Sequence, residues 1–387
     1  MSTLISFLGK GQNSSYRTAN YRFEDGSTYE TNYIGLALAD KIKPSRLVLL
    51  GTAGSMWDVF FAGEADNDAD QWIELSEAVQ TQSVHAAQLK PFEVFLQDKL
   101  GISVECVLIP FAKDTAEQIA ILSQLADLLQ PRERITLDVT HGFRHLPMLA
   151  LVAARFLQTI KKVQVDHIYY GALEMTDVDS KLTPVLTLDG LLQMLDWVDA
   201  LSSFDHNGDY AVFSKLLTQQ GLEQSDAQLL EKASFFERTN NAPNAKQSLG
   251  TIFKKLETVD TPIFTLFKPQ LLDRVTWIKA ENRGLCEQQL AKKYLHQRDY
   301  LRATIYAQEG MISKRTHDCK EDTNNYDARL AHQEILKQND DFRLFTNLRN
   351  ALVHGLGGSA KKDVQRILSS EQAIKDSLRD RFENLLD

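Results

Sequence analysis

The sequence predicts an α/β N-terminal domain with a mostly parallel sheet, followed by an all-α domain. In the first 190 residues, short apolar runs alternate with helix-like stretches, which is the pattern of β-α-β units. From Leu191 onward the strand-like runs disappear, and Leu, Ala, Gln, Lys and Glu recur with helical spacing. A chain of 387 residues is also too long for one ordinary core. We therefore expect domains at 1–190 and 191–387.

The elements of the first domain follow from apolar runs and their spacing. The candidate strands are 3–8, 46–50, 103–109, 134–139 and 163–170. The candidate helices are 33–41, 72–100, 115–129 and 147–159. A hairpin is expected at 16–29, with Asp25-Gly26-Ser27 at its turn. In the second domain, helices are expected to break at 240–244 and at Thr261-Pro262.

Composition excludes several classes of protein. Apolar residues make up 43% of the chain, yet no apolar run reaches the roughly 18 residues that span a bilayer. With no secretory leader pattern, we expect a cytoplasmic protein without membrane contact. Cys106, Cys286 and Cys319 lie far apart and have no ligand spacing, so neither a structural metal nor a disulfide framework is expected. The net charge of −9 argues against a general grip on nucleic acid, so any RNA contact must be local.

Three predicted strands end in glycine-containing loops. Loops at the carboxyl ends of parallel strands line the ligand crevice of an open α/β sheet, where backbone N–H groups favour phosphate. None of the loops matches the GxGxxG or P-loop pattern, so neither a dinucleotide cofactor nor ATP hydrolysis is supported. We expect a different phosphorylated ligand. Its candidate binding residues are Gly9, Lys10, Gly11, Gly51, Thr52, Ser55, Thr140, His141, Gly142 and Arg144.

Two of these loops also have a purely structural interpretation. Ser55 and Asp58 fit a capping box, which satisfies the free N–H groups of a helix start without any ligand. Residues 140–144 fit a strand-to-helix turn, with Gly142 at the bend and Pro147 in the first turn of the helix. The turn alone does not explain a hydroxyl, an imidazole and a guanidinium within five residues, all of which bind phosphate or adenine.

In the second domain, residues 341–354 predict a helix that ends at Gly355, a favoured C-terminal cap. The helix has one apolar stripe, and polar side chains line its opposite face. The stripe consists of Leu344, Phe345, Leu348 and Leu352. Arg349 lies at the edge of the stripe, five residues before His354. Arg and His in a last helical turn also interact favourably with the free carbonyls, which is the structural alternative to a catalytic role.

The three N-terminal loops carry a resemblance to a known family. The order of a strand with Gly-Lys-Gly, then GTAGSMWD, then LDVTHGFRHLP resembles the CARF domain, the Rossmann-like sensor of CRISPR-associated proteins. The resemblance covers roughly 1–190. It implies recognition of a cyclic oligoadenylate, in its tetra-adenylate or hexa-adenylate form, across the two-fold axis of a homodimer.

The stretch from Arg349 to His354 matches R-x4-H with Asn350 after the arginine, and so resembles the signature of HEPN ribonucleases. CARF and HEPN domains commonly occur together in one chain, in the accessory effectors of type III CRISPR systems. The resemblance implies metal-independent cleavage of single-stranded RNA that leaves a 2′,3′-cyclic phosphate. Arg349 would stabilise the charged phosphorane and His354 would transfer a proton near neutral pH. Asn350 would orient His354 or the scissile phosphate, and the identity of the base and the acid is open.

The sequence thus predicts an endoribonuclease for antiviral defence that is activated by a cyclic oligoadenylate, needs no cofactor or metal, and acts as a homodimer or a higher homo-oligomer. Two alternatives stay open. In the first, a CARF sensor regulates a partner and the helix end at 349–354 is not catalytic. In the second, the loop at 140–144 slowly opens the cyclic oligoadenylate itself.

Overall fold

The computed structural model describes residues 2–10, 16–60, 69–357 and 361–385. The chain divides into two compact units, Met1–Leu195 and Asp196–Asp387. The first unit combines a sheet with helices, and the described part of the second unit contains helices but no strands. The predicted fold class, an α/β unit followed by an all-α unit, is confirmed.

The described residues of the first unit form one sheet. Its strands are β1 (Ser2–Leu8), β2 (Ala19–Arg22), β3 (Thr28–Thr31), β4 (Arg46–Gly51), β5 (Ser103–Leu108), β6 (Arg134–Asp138), β7 (Gln164–Gly171) and β8 (Leu182–Thr187). Its helices are α1 (Ile34–Ile42), α2 (Ala69–Gln80), α3 (Ala86–Leu100), α4 (Thr115–Leu128) and α5 (His145–Ile160). The strand order is β3-β2-β8-β7-β6-β1-β4-β5. The five strands from β7 to β5 are parallel, as the sequence predicts.

The central strands are apolar on both sides because helices cover both faces of the sheet. In β1, Leu4 and Leu8 pack into the core on one face, and Ile5 and Phe7 pack into the core on the other. The alternation follows from the two-residue period of a strand. This explains why the predicted strands appear in the sequence as continuous apolar runs.

The sequence locates the five parallel strands to within one residue and three of the four predicted helices to within two. The expected hairpin is formed by β2 and β3, and the Asp25 carboxylate closes its turn by accepting hydrogen bonds from Ser27. β8 was not predicted, because Pro184 interrupts its short apolar run.

The predicted helix at 72–100 is wrong, since two helices, α2 and α3, occupy this stretch. The break has a local cause. The Thr81 hydroxyl donates a hydrogen bond to the Glu77 carbonyl at 2.8 Å, and Gln82 adopts a positive φ of 56°. Hydroxyl side chains that bond to the backbone in this way compete with continued helix. Apolar periodicity alone did not reveal the interruption.

The second unit is built from eleven helices in the described residues. They are α6 (Asp189–Asn207), inside which the boundary between the units falls, α7 (Ser214–Gln219), α8 (Gln224–Arg238), α9 (Ala242–Thr258), α10 (Pro262–Val275), α11 (Arg283–His296), α12 (Tyr300–Asp318), α13 (Tyr326–Leu336), α14 (Asp340–His354), α15 (Lys362–Ile367) and α16 (Glu371–Leu385). The breaks predicted at 240–244 and at Thr261-Pro262 are confirmed as the starts of α9 and α10.

Helices α11 and α12 approach each other unusually closely. A Cβ atom on Gly284 would lie 2.6 Å from the backbone nitrogen of Lys314, and one on Gly310 would lie 3.3 Å from the Gly284 carbonyl oxygen. Real Cβ atoms do not approach backbone at 2.6 Å, so the two helices can pack here only because Gly284 has no side chain. The contact fixes the position of α12.

We expect Gly284→Ala to destabilise the chain by about 1–3 kcal/mol, because the added methyl group must push α12 away. The matched control is Gly250→Ala in α9, where nothing lies within 4 Å of the new methyl group. That change should stabilise the helix by about 0.5–1 kcal/mol. Urea unfolding of the full chain, followed by circular dichroism, measures both. A neutral Gly284→Ala variant would contradict the close contact.

Candidate functional site

The strand order of the sheet reverses between β1 and β6. Among the five parallel strands, β4 and β5 follow β1 on one side, and β6 lies on the other side of β1. Ligands of open α/β sheets bind in the crevice at such a reversal, beyond the carboxyl ends of the strands. The loops that follow β1 and β6 meet here, so the structure brings together residues 9–10 and 140–144.

The backbones of Gly9 and Gly142 are in direct contact at this crevice. A Cβ atom on Gly9 would lie 2.3 Å from the backbone nitrogen of Gly142. Gly142 has a φ of +112°, which side-chain-bearing residues rarely adopt. Any larger residue at position 9 would separate the ends of β1 and β6. Both glycines are therefore required by the geometry of the crevice, whether or not they touch a ligand.

His141 is buried beside this contact and packs against two tyrosine rings. Its ring centroid lies 4.5 Å from that of Tyr16 and 5.0 Å from that of Tyr33. Burial lowers the pKa of His141 to about 4, so the ring is neutral near physiological pH. Among the described residues its Nε2 atom has no hydrogen-bond partner. A buried, unpaired ring nitrogen is available to a ligand or a water molecule.

The carboxylate of Asp138, the last residue of β6, is fully buried below the same loop. It accepts hydrogen bonds from the Ser6 hydroxyl at 2.6 Å and from the Thr140 backbone N–H at 3.0 Å. Burial raises the pKa of Asp138. The Ser6 hydroxyl also bonds to the Tyr33 hydroxyl at 2.6 Å. Sequence analysis missed this polar group. Its one signal was an acidic residue at the end of an otherwise apolar strand.

The Tyr16 hydroxyl is hydrogen-bonded to both backbone groups of Gly9. It donates to the Gly9 carbonyl and accepts from the Gly9 N–H, both at 2.8 Å. The Gly9 backbone N–H, which the sequence predicts to bind phosphate, therefore already has a hydrogen-bond partner. Lys10 is exposed next to it, and the predicted ligand residue Gly11 lies outside the described residues.

The second loop is held together by its own side chains. Gly51 is packed against the Trp57 ring, and Thr52 and Ser55 are buried. The Ser55 hydroxyl accepts a hydrogen bond from the Thr52 N–H and donates one to the Leu8 carbonyl, both at 2.8 Å. The capping-box alternative for Ser55 is not seen, because this hydroxyl ties the loop to the end of β1 instead.

The third loop combines a structural turn with exposed groups. The Thr140 hydroxyl accepts a hydrogen bond from the Gly171 N–H at 2.8 Å, which ties the loop to the end of β7. Arg144 is exposed immediately before α5. Phe143 is 40% exposed, and its ring stacks on that of His145 with centroids 5.8 Å apart. An exposed aromatic platform beside a guanidinium suits an adenine base and its phosphate. Phe143 was missed because a single aromatic residue in a loop has no sequence signature.

In the second unit, α14 is the predicted helix with the predicted stripe. Phe345 and Leu348 are buried and Leu352 is half-buried, so the stripe faces the helical core. The Asn339 side chain caps the first turn by accepting a hydrogen bond from the Phe342 N–H. The helix ends at Gly355, whose φ is +80°.

Arg349 is held by two neutral amide side chains. Its Nη1 atom donates to the Gln308 Oε1 atom at 3.2 Å, and its Nη2 and Nε atoms donate to the Asn350 Oδ1 atom at 3.0 and 3.3 Å. The Asn350 side-chain oxygen is therefore a hydrogen-bond partner of Arg349. The partners described for the guanidinium are neutral, so its positive charge stays available.

His354 is exposed in the last turn of α14. It lies five positions after Arg349, which corresponds to about 140° around the helix axis and about 7.5 Å along it. The two side chains of one chain therefore leave the helix in different directions. In the described residues no group of three or more His, Cys, Asp or Glu side chains could hold a metal ion.

Comparison with known proteins identifies the first unit. Residues 3–174 match the family described as CRISPR system endoribonuclease Csx1, CARF domain. The N-terminal unit is a CARF domain. The chain is also 28% identical over 313 residues to the CRISPR-associated protein MJ1674 of Methanocaldococcus jannaschii, an alignment that covers 73% of this chain. The chain spans about half the length of that relative, 48%.

These comparisons confirm the CARF resemblance inferred from the three loops. The match to the CARF family covers residues 3–174 and ends before α6. It therefore includes the crevice but not the R-x4-H helix. Among the described helices, none is long and apolar enough to cross a bilayer.

The buried histidine makes the CARF domain sensitive to acid. The unfolded chain binds a proton at His141 below its ordinary pKa of 6.5, whereas the folded domain excludes that proton down to about pH 4. We therefore expect the contribution of His141 to stability to be fully present above pH 7 and to fall as the pH decreases, by about 2 kcal/mol at pH 5. Hydrogen exchange of the β1 and β6 amides at pH 7 and pH 5 measures this loss.

In this measurement, His141→Phe should remove the loss of stability between pH 7 and pH 5. The control is His145→Phe, since His145 is an exposed histidine next to the same loop. It should keep the pH dependence of the wild type. Equal acid sensitivity of His141→Phe and the wild type would show that the histidine is not responsible.

Proposed function

We propose that this chain is an endoribonuclease that a cyclic oligoadenylate activates through the CARF domain, as part of type III CRISPR defence. The observation that carries the proposal is that neutral side chains hold the Arg349 guanidinium. This guanidinium lies at the accessible end of α14, held by neutral amides, and the same helix ends at His354. A positive charge in a fixed position is what a charged phosphorane requires.

The chemistry is a transesterification within RNA. The ribose 2′-oxygen forms a bond to the adjacent phosphorus, the bond to the 5′-oxygen breaks, and the proton of the 2′-hydroxyl is passed on to the leaving 5′-oxygen. Arg349 stabilises the extra charge on the phosphorane oxygens, and His354 transfers protons. The product is a 2′,3′-cyclic phosphate. No step needs a metal ion.

The CARF crevice has the groups that a cyclic oligoadenylate needs. Lys10 and Arg144 are exposed cations for its phosphates, and Phe143 is an exposed ring for an adenine. The unpaired Nε2 atom of His141 adds a polar contact in the depth of the crevice. We propose the tetra-adenylate or the hexa-adenylate as the activator.

We further propose that the active form is a homodimer in which the CARF domains pair through α5. The helix exposes an apolar stripe at intervals of four residues, which is one face of a helix. The stripe consists of Met148, Val152, Phe156 and Ile160. Because α5 starts directly after the loop at 140–144, a two-fold axis along this face would also place two copies of the crevice next to each other.

The directions of Arg349 and His354 on α14 give a second reason to propose a dimer. Arg349 and His354 of one helix point about 140° apart, so one chain does not easily direct both at one phosphate. Two copies of α14 would supply two arginines and two histidines to one cleft. This is the reason for proposing paired sites.

A surface cavity next to α14 is a candidate path for the RNA strand. The cavity has a volume of about 460 Å³, and its lining residues include Leu352, Arg238, Arg298 and Arg302. Each arginine has a carboxylate partner: Arg238 pairs with Asp209, Arg302 with Asp299, and Arg298 lies 3.6 Å from Glu371. The mixed charge favours local contacts to a single strand over a general attraction to nucleic acid, in agreement with the acidic chain.

The decisive experiment measures cleavage of labelled single-stranded RNA with EDTA present, against a panel of cyclic oligoadenylates. We expect cleavage only with the activating ring, and a 2′,3′-cyclic phosphate end. Arg349→Ala and His354→Ala should each lower the rate by at least about 100-fold, because each removes a group that acts in the transition state. Arg343→Ala is the control, since Arg343 is exposed on the same helix and pairs with Asp340.

The other outcomes separate the alternatives. Ligand binding without RNA cleavage would support a sensor that regulates a partner. Conversion of labelled cyclic ligand to linear products would support an enzyme that opens the ring. Loss of cleavage in EDTA would contradict the metal-free mechanism.

For the dimer, we expect Val152→Glu to weaken self-association at least tenfold, because it buries a charge in an apolar contact. Sedimentation equilibrium over a concentration series measures the dissociation constant. The control is Ile119→Glu on α4, where a similarly exposed apolar side chain is replaced outside the stripe. A wild type that stays monomeric, or a Val152→Glu variant that pairs normally, would rule out the α5 interface.

A further inference from the structure

We propose that Gln308 of α12 is a positioning residue that fixes the Arg349 guanidinium for the transition state. The inference rests on the proposed ribonuclease function. Gln308 is 2% exposed and lies 41 residues before Arg349 in the sequence. Its role is to aim the charge of Arg349 while leaving that charge unneutralised.

The orientation of the Gln308 amide is determined by its second contact. Its Nε2 atom donates to the Thr346 hydroxyl oxygen at 2.8 Å. That hydroxyl has a single hydrogen, which it donates to the Phe342 carbonyl at 2.9 Å. The Thr346 oxygen can therefore only accept from Gln308. The Nε2 atom must point at Thr346, and the Oε1 atom is left for Arg349.

Together, Gln308 and Asn350 use one donor on each nitrogen of the guanidinium. Nη1 bonds to Gln308, and Nε and Nη2 bond to Asn350. A guanidinium has five N–H donors, so two hydrogens remain, one on each terminal nitrogen. A guanidinium can bind two oxygens of a phosphate through one hydrogen from each terminal nitrogen. The two amides thus set the plane of the guanidinium and leave its phosphate-binding donors free.

The neutrality of the holding groups is central to the argument. The buried Arg274 of the same unit shows the other arrangement, since its guanidinium is paired with the buried carboxylate of Glu237. A carboxylate holds an arginine but cancels its charge. An amide oxygen also holds it, yet leaves the full charge to interact with the phosphorane. Fixing the side chain in advance also removes the cost of ordering it during the reaction.

The test compares Gln308→Leu with Gln288→Leu. Gln288 is an equally buried glutamine on α11, and in the described residues neither of its amide atoms has a hydrogen-bond partner. Gln308→Leu should lower kcat for RNA about tenfold while KM changes less than twofold, because positioning matters in the transition state. Gln288→Leu should leave both constants unchanged. Urea unfolding of both variants shows whether either change destabilises the fold.

A second experiment tests whether Gln308 and Asn350 form a binding site for a guanidinium group. In Arg349→Ala, added guanidinium ion should restore part of the cleavage, because Gln308 and Asn350 still form a site for it. In the double variant Gln308→Leu/Arg349→Ala, this rescue should be lost or should need at least tenfold more guanidinium. Gln308→Glu should hold the arginine but neutralise it, so its kcat should fall at least as far as that of Gln308→Leu.

The possible failures are distinct. Equal kcat for Gln308→Leu and the wild type, or unimpaired guanidinium rescue in the double variant, would overturn the role of Gln308 and leave the ribonuclease proposal intact. If Gln308→Leu does not fold, Thr346→Val tests the same contact by removing the anchor of the Gln308 amide, and an unchanged kcat would then overturn the inference. If the wild type does not cleave RNA, or Arg349→Ala cleaves as fast, the ribonuclease proposal fails and the inference fails with it.

Discussion

Both units depend on a place where two backbones touch because a glycine has no side chain. In the CARF domain, Gly9 meets Gly142 and so closes the ends of β1 and β6 around the crevice. In the helical unit, Gly284 lets α11 pack against α12 at Lys314. The candidate functional groups lie next to these contacts. His141 precedes Gly142, and Gln308 is two residues from Gly310, on the helix that Gly284 positions.

The two candidate sites treat charge in opposite ways. In the CARF crevice, burial keeps the His141 ring neutral near physiological pH, and burial also raises the pKa of Asp138. The cations that would face phosphate, Lys10 and Arg144, are exposed at the rim. In the last turns of α14 the charged group is the central one, and the Arg349 guanidinium is hydrogen-bonded to the neutral amide oxygens of Gln308 and Asn350. A site that only binds an anion can leave its cations in solvent, whereas a site that stabilises a transition state needs a fixed charge.

Sequence patterns were sufficient wherever the cause of structure is local. The apolar runs gave the parallel strands, the stripe on α14 gave its buried face, and glycine-containing strand ends gave the crevice loops. The missed features come from contacts between distant residues. Ser6 and Asp138 are 132 residues apart and Gln308 and Arg349 are 41 apart, so no spacing rule connects them. The break between α2 and α3 was missed for a different reason, because hydroxyl-backbone competition at Thr81 does not disturb apolar periodicity.

The position of α5 links ligand binding to the proposed dimerisation of the CARF domain. The helix begins directly after the loop at 140–144 and presents its apolar stripe along its length, so the crevice and the proposed dimer face are parts of one continuous segment. A ligand that contacts this loop more favourably in the paired form must strengthen pairing, and pairing must strengthen ligand binding by the same factor. No long-range pathway is required for this first step. It needs only that the first turn of α5 differ in position or mobility between the single and the paired CARF domain, since without such a difference the ligand would bind both forms equally and shift nothing.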